Sequence, residues 1–167
     1  MFKVHLNIGS NQGCRSDNIG RAAALVEHSG CVVSACRSAI VETEPWGYIS
    51  PNAYMNMGML LHTAMSPHEL VRVLQAIESG MGGGSHRNKD GTYADRLIDI
   101  DIVAVNDAST GTSFVCNDNL LTLPHPRMHM REFVLIPMQE LDPGWMHPET
   151  GLTPAQMLKV LENKDSI

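Results

Sequence analysis

At 167 residues, with 43% apolar side chains and a formal net charge of -6, the chain is long enough for one domain with its own core and no need of staples. The acidic balance excludes a role in coating nucleic acid, and no stretch has the length of a membrane span or the order of a signal peptide. Cys14, Cys31, Cys36 and Cys116 make no Cys-x-x-Cys pair, so they are expected as free thiols of a cytoplasmic protein, with neither a zinc ribbon nor a redox motif.

Phe2 to Ile8 alternates as a first strand, with Val4, Leu6 and Ile8 on one face, and stops at the turn signal Gly9-Ser10-Asn11. Ser16 or Asp17 can cap a helix running to about His28, burying Ile19, Ala22, Ala23 and Val26, with Gly30 at its end. Cys31 to Val41 is a second strand. Glu42 to Asn52 is too rich in proline and glycine for regular structure, and Tyr54 to Thr63 is a third strand. Ser66-Pro67-His68-Glu69 opens a second helix with an N-cap serine, a proline in the first turn and a glutamate that completes a capping box. Leu70, Val73, Leu74 and Ile77 form its apolar stripe, and Gly80, Gly82, Gly83 and Gly84 end it.

A polar loop over 80–95 leads into a fourth strand, Arg96-Leu97-Ile98-Asp99-Ile100-Asp101-Ile102-Val103. The order β-α-β-β-α-β predicts an α+β, ferredoxin-like core in one domain over 1–167: an antiparallel sheet with helices on one face. The first and fourth strands are expected at its centre. A C-terminal extension follows, with an extended piece at Leu120–Pro124, a short helix from about Pro137, and a last helix opened by Thr153-Pro154-Ala155-Gln156.

Period-two geometry puts Asp99 and Asp101 on one face of the fourth strand, Cα atoms about 6–7 Å apart, while Ile98, Ile100 and Ile102 face the core. Two carboxylates that close resist leaving water without a cationic partner. The pair is therefore either the wet face of a strand or a site for hard divalent cations such as magnesium. Arg87, Lys89, Arg96, Arg127 and Arg131, with His86, His125 and His129, crowd the same part of the chain. Singly each arginine reads as solvated; together they suit a polyphosphate, neutralised by metals on one side and arginines on the other. His125 and His129 have a zinc spacing, but Pro126 and the missing glutamate speak against a zinc pair. The glycines near 82 lack a phosphate-loop signature and suit a lid. Trp46, Tyr48, Tyr54 and Phe133 are either core aromatics or the walls of a slot for a flat heterocycle.

Six pieces now stand in a telling order: Leu6-Asn7-Ile8-Gly9-Ser10-Asn11, Thr43-Glu44-Pro45-Trp46-Gly47, Tyr54-Met55-Asn56, Gln75-Ala76-Ile77-Glu78, Arg96 to Asp101, and Pro124-His125-Pro126-Arg127 through Leu135. In that order and spacing the chain resembles the 6-hydroxymethyl-7,8-dihydropterin pyrophosphokinases of folate biosynthesis, from its first strand to about residue 153. The resemblance implies transfer of pyrophosphate from ATP to the pterin hydroxymethyl group, with AMP leaving. It implies two magnesium ions held by Asp99 and Asp101, Arg96 on phosphate, and Arg87 in place of one loop arginine of the family. Tyr54 and Phe133 look like walls stacking the pterin, with Thr43, Glu44, Trp46 and Asn56 at its polar edge and Tyr93 in the place of another aromatic. Gln75, Glu78, Ile102, Thr122, His125 and Arg131 match nucleotide-side positions. The expected partners are the two small-molecule substrates alone, met by a monomer, with no nucleic acid or membrane. Two departures stand out: the loop after Glu78 is longer and lacks a second arginine, and Leu120 replaces a basic residue.

Overall fold

The computed structural model describes residues 1–44, 51–82 and 95–165. Four strands, β1 (Phe2–Ser10), β2 (Val32–Thr43), β3 (Tyr54–Thr63) and β4 (Asp99–Asp107), form an antiparallel sheet in the order β2-β3-β1-β4. Helix α1 (Arg15–Glu27) joins β1 to β2, and α2 (Pro67–Gly80) joins β3 to β4. Each helical crossover skips one strand position, so β3 lies between β1 and β2 while β1 lies between β3 and β4. β1 and β3 therefore hold the centre, and β4 is an edge, contrary to the central place expected for it.

That edge is covered. Glu78 on α2 accepts the Ile100 N–H at 2.6 Å. Beyond it the Val103 carbonyl accepts from His125, the Val105 carbonyl from Phe114, and the Asp107 N–H donates to Thr112, each at 2.8 Å. Pairing of this kind removes the hazard of a bare strand.

One face of the sheet buries Val4, Leu6 and Ile8 of β1, Met57, Met59 and Leu61 of β3, and Ile100 and Ile102 of β4. Ile19, Ala22, Ala23 and Val26 of α1 pack on them with Leu70 and Leu74 of α2, the helical stripes that the sequence spells out. The opposite face is covered too, so helices lie on both sides rather than one. There a 3-10 turn (Met128–Met130), α3 (Glu132–Leu141) and α4 (Pro154–Asp165) enclose a second core of Val103, Ala104, Met128, Val134, Leu135, Met138, Trp145 and Met157. Val103 is left unpaired at a bulge opposite His5 and Leu6, and so sits with Ala104 in that core. Gly58 lets α3 approach β3: a Cβ there would stand 2.5 Å from that of Pro137.

Several boundaries depart from expectation. β2 runs on through Thr43, since its last residues pair with Asn56, Met55 and Tyr54. α1 is capped at Cys14 without a side-chain bond, rather than at Ser16 or Asp17; Asn18 instead ties the turn by donating to the Gln12 carbonyl at 2.9 Å. α3 begins at Glu132 and carries Pro137 inside it, because Arg131 carbonyl bonds from Val134 and Leu135 have already nucleated the turn. The expected extended piece becomes β6 (Thr122–Leu123), paired with β5 (Cys116–Asn117). Both capping boxes form as the sequence indicates, Ser66 with Glu69 and Thr153 with Gln156.

Candidate active site

The face that carries the second core runs out toward one end of the sheet, and polar side chains take its place. Register sets Gly9 of β1 beside Asn56 of β3 and Asp99 of β4, and Asn7 beside Gly58 and Asp101. Thr43 and Glu44 arrive from the end of β2, Arg96 from the approach to β4, and Arg131 and Phe133 from the start of α3. Together with Tyr54 these residues line an open cleft.

Gly9 and the two asparagines shape its floor. A Cβ on Gly9 would lie 2.7 Å from Asn56 Oδ1, so only a glycine lets Asn56 cross β1. Asn7 Nδ2 donates to that same oxygen at 3.1 Å. Among the described residues Asn7 Oδ1 and Thr43 Oγ1 are buried without a hydrogen-bond partner. Such atoms cost about 1–3 kcal/mol each until something polar meets them. Phe133 stands under the Arg131 guanidinium, 5.6 Å from ring centroid to Cζ.

The turn Gly9-Ser10-Asn11 does more than end β1. Asn11 Oδ1 accepts the Arg96 N–H at 2.6 Å and Asn11 N–H donates to the Arg96 carbonyl at 3.1 Å, while Ser10 Oγ donates to the Leu97 carbonyl at 2.6 Å. This clamp aims Arg96 at the strand it precedes, where Nη1 meets Asp99 Oδ2 at 2.5 Å. Burial pushes the Asp101 carboxyl above the usual carboxylate range, and the charges of Arg131 and Arg96 pull it partly back. Glu78 is pushed up to about 7, first by burial, then by Asp99 and Asp101, against the stabilising Ile100 N–H. Asp99 and Asp101 thus share the cleft, with Arg96 and Arg131 beside them. Hard divalent cations fit that donor set.

The cleft brings together Thr43, Glu44, Tyr54, Asn56, Phe133, Arg96, Asp99, Asp101 and Arg131 of the residues anticipated above. Gln75, Glu78, Ile102, Thr122 and His125 do not line it, each for a local reason. Gln75 is exposed on α2, Glu78 is turned to the β4 edge, and Ile102 is 5% exposed in the first core. Thr122 donates to Asn117 across the β5–β6 pair at 3.1 Å. His125 follows the outer edge of β4, bonded there to Val103. Burial and the nearby Arg131 charge lower its imidazole to about 4, and Nδ1 accepts the Arg127 N–H at 3.2 Å. It is therefore neutral at pH 7 with its proton on Nε2, a donor aimed by its own backbone. Trp46, Arg87 and Tyr93, with nearly all of the anticipated lid, lie outside the described residues. Asn7 and Gly9 were missed as cleft residues; the available signal was a polar side chain on the face of β1 opposite Leu6 and Ile8.

A family model described as 7,8-dihydro-6-hydroxymethylpterin-pyrophosphokinase matches residues 5–143. The 2-amino-4-hydroxy-6-hydroxymethyldihydropteridine pyrophosphokinase of Porphyromonas gingivalis is 35% identical over 150 residues, 89% of this chain and 96% of its own. That of Bacillus subtilis is 33% identical over 138 residues, 83% of this chain and 77% of its own. Among solved structures, an HPPK-DHPS in complex with substrates superposes at a TM-score of 0.68 with 14% identity, over 99% of this chain and 44% of the other. A Plasmodium falciparum HPPK-DHPS with SDX-DHP gives the same score at 16% identity; the chain spans under half the length of these two, and the likeness to them is one of fold. On sequence and on the cleft that its strands build, the chain belongs to the 7,8-dihydro-6-hydroxymethylpterin-pyrophosphokinase family.

Proposed function

We infer that the chain transfers the pyrophosphoryl group of ATP to the hydroxymethyl oxygen of 6-hydroxymethyl-7,8-dihydropterin, giving AMP and the pterin diphosphate. One observation carries this reading beyond family membership. A single cleft brings two aromatic side chains, Tyr54 and Phe133, and unmet polar atoms together with a carboxylate pair flanked by arginines. The first half suits a heterocycle with a polar edge, the second a polyphosphate.

Tyr54 and Phe133 stack the pterin ring, while Asn56, Thr43 and Glu44 meet its edge. Asn7 holds the Asn56 carboxamide, so it positions that contact without needing to touch the ring. Asp99 and Asp101 would hold magnesium, which would supply positive charge to neutralise the triphosphate oxygens. Arg96 and Arg131 bear on phosphate oxygens and stabilise charge as the Pβ bond to the AMP oxygen lengthens. Transfer of this kind depends chiefly on alignment and charge neutralisation, so the acceptor hydroxyl needs no strong general base. Glu78, Ile102 and His125, along the outer edge of β4, form the nucleotide side, with His125 giving a neutral Nε2–H donor.

The test is a synthesis assay with magnesium, ATP and the hydroxymethyldihydropterin, its products separated by chromatography. AMP formed one for one with a pterin diphosphate is expected. Pyrophosphate release would indicate nucleotidyl transfer to another acceptor, and no consumption of ATP would indicate a binding module; either outcome overturns the assignment.

A further inference from the structure

Away from the cleft, at the start of α2, three side chains of different chemistry turn toward one another. His68 Nε2 and Asp118 Oδ2 are 2.7 Å apart, and one ligand atom from each of His68, Cys116 and Asp118 lies within 4.8 Å of the others. Each is held from a separate direction. His68 stands in the first turn of α2, which the Ser66–Glu69 capping box anchors, with its ring edge-on to Phe114. Cys116 is fixed by pairing with Leu123 in the β5–β6 ladder, its thiol donating to the Leu121 carbonyl at 3.5 Å. Asp118 uses its other oxygen, Oδ1, to accept from the Leu120 and Leu121 N–H groups at 2.9 and 3.0 Å.

We propose that His68, Cys116 and Asp118 form a zinc site, with water as fourth ligand, that ties the β5–β6 hairpin to the start of α2. The donor set carries the argument. Thiolate and imidazole favour zinc or another thiophilic divalent ion over magnesium. A tetrahedral zinc needs ligand atoms about 3.3–3.6 Å apart, so shifts of about 1 Å bring all three into place. The imidazole takes the tautomer with its proton on Nδ1, which frees Nε2; the thiol proton of Cys116 leaves to solvent, and metal–nitrogen, metal–oxygen and metal–sulfur bonds form. The two amides on Oδ1 already orient the carboxylate as outer-sphere partners do. His68 and Asp118 are 38% and 46% exposed, which leaves an entry path and room for the water. The site is separate from the magnesium pair: His68 and Glu78 lie ten residues along α2, about 15 Å at the helical rise.

Chelator-treated full chain, kept reduced, is titrated with cobalt(II) and then with zinc. One equivalent of cobalt should give a thiolate-to-cobalt charge-transfer band with intense visible absorption, and zinc should abolish it. Cys116→Ser should remove the band, His68→Ala should weaken zinc at least tenfold, and Asp99→Asn should leave both unchanged. Zinc at about 100-fold over its Kd should raise the Tm of the unsubstituted chain by about 5–10 °C and that of the Cys116→Ser chain much less. No charge-transfer band, or a band that survives in folded Cys116→Ser, overturns the proposal. If Cys116→Ser does not fold, exposed Asp118→Asn takes its place, and zinc affinity equal to that of the parent overturns it.

Discussion

At Gly9 one added methyl group meets Asn56 Oδ1 at 2.7 Å. The obstacle is the tip of a side chain rather than backbone, so the fold can yield by turning the Asn56 carboxamide away. What is then lost is the Asn7–Asn56 bond and the pterin edge contact that it aims. Gly9→Ala should therefore weaken pterin binding about tenfold or more, measured by calorimetric titration, while Tm shifts by only a few degrees. Asp101 argues the reverse trade. Its carboxyl is held above the usual range by burial, so its charged form costs the fold stability in the absence of metal. Asp101→Asn should cut kcat by about 10²–10³-fold or more yet raise Tm at pH 8 in magnesium-free buffer. Normal turnover with magnesium as the only metal would contradict the role given to Asp101. The two aspartates were legible in the sequence because a strand shows its faces at period two. Asn7 was not, because what matters there is the neighbour across the sheet, and sequence spacing carries no register between β1 and β3.

At the scale of elements, β4 shows where local pattern stops being informative. Its apolar face, limits and paired acids follow from its residues; its position at the sheet edge follows from crossovers that skip a strand. That position explains Glu78, an acid on the buried side of α2, which supplies the acceptor that the edge amide of Ile100 lacks. Glu78 titrates at about 7 in the folded chain against 4.5 as an ordinary carboxyl, so the folded state binds its proton more tightly. The stability it contributes is full below about 4.5 and is lost as pH rises through about 7. Glu78→Gln keeps an oxygen for the Ile100 N–H and removes the charge. It should equal the parent near pH 4.5 and exceed it at pH 8 by about 1–2 kcal/mol, after discounting for solvent near the site. Urea unfolding at the two pH values, without divalent ions, measures this. An equal gain at both would assign the effect to the hydrogen bond and not to the charge.

For the whole molecule, the sheet is a partition between two cores of unlike duty. The first, under α1 and α2, was readable from helical stripes and strand alternation. The second was not, because its residues come from bulged β4, the start of α3, and Trp145 and Met157, which lie beyond the residues 5–143 that the family model matches. Trp145 is 4% exposed, donates its indole N–H to Asn106 Oδ1 at 2.9 Å, and lies edge-on to His5, itself bonded to Asp142. It thus fastens the C-terminal layer to the sheet from which α3 presents Phe133 to the cleft. Trp145→Ala should cost about 3–5 kcal/mol and weaken pterin binding as α3 loosens. Leu70→Ala, at a fully buried position of the first core, should cost about 2–5 kcal/mol and leave pterin affinity nearly unchanged. Thermal unfolding and pterin titration on both variants separate the effects. Equal losses of affinity at matched destabilisation would mean that the cleft senses global stability alone, and that the second core has no privileged hold on the pterin wall.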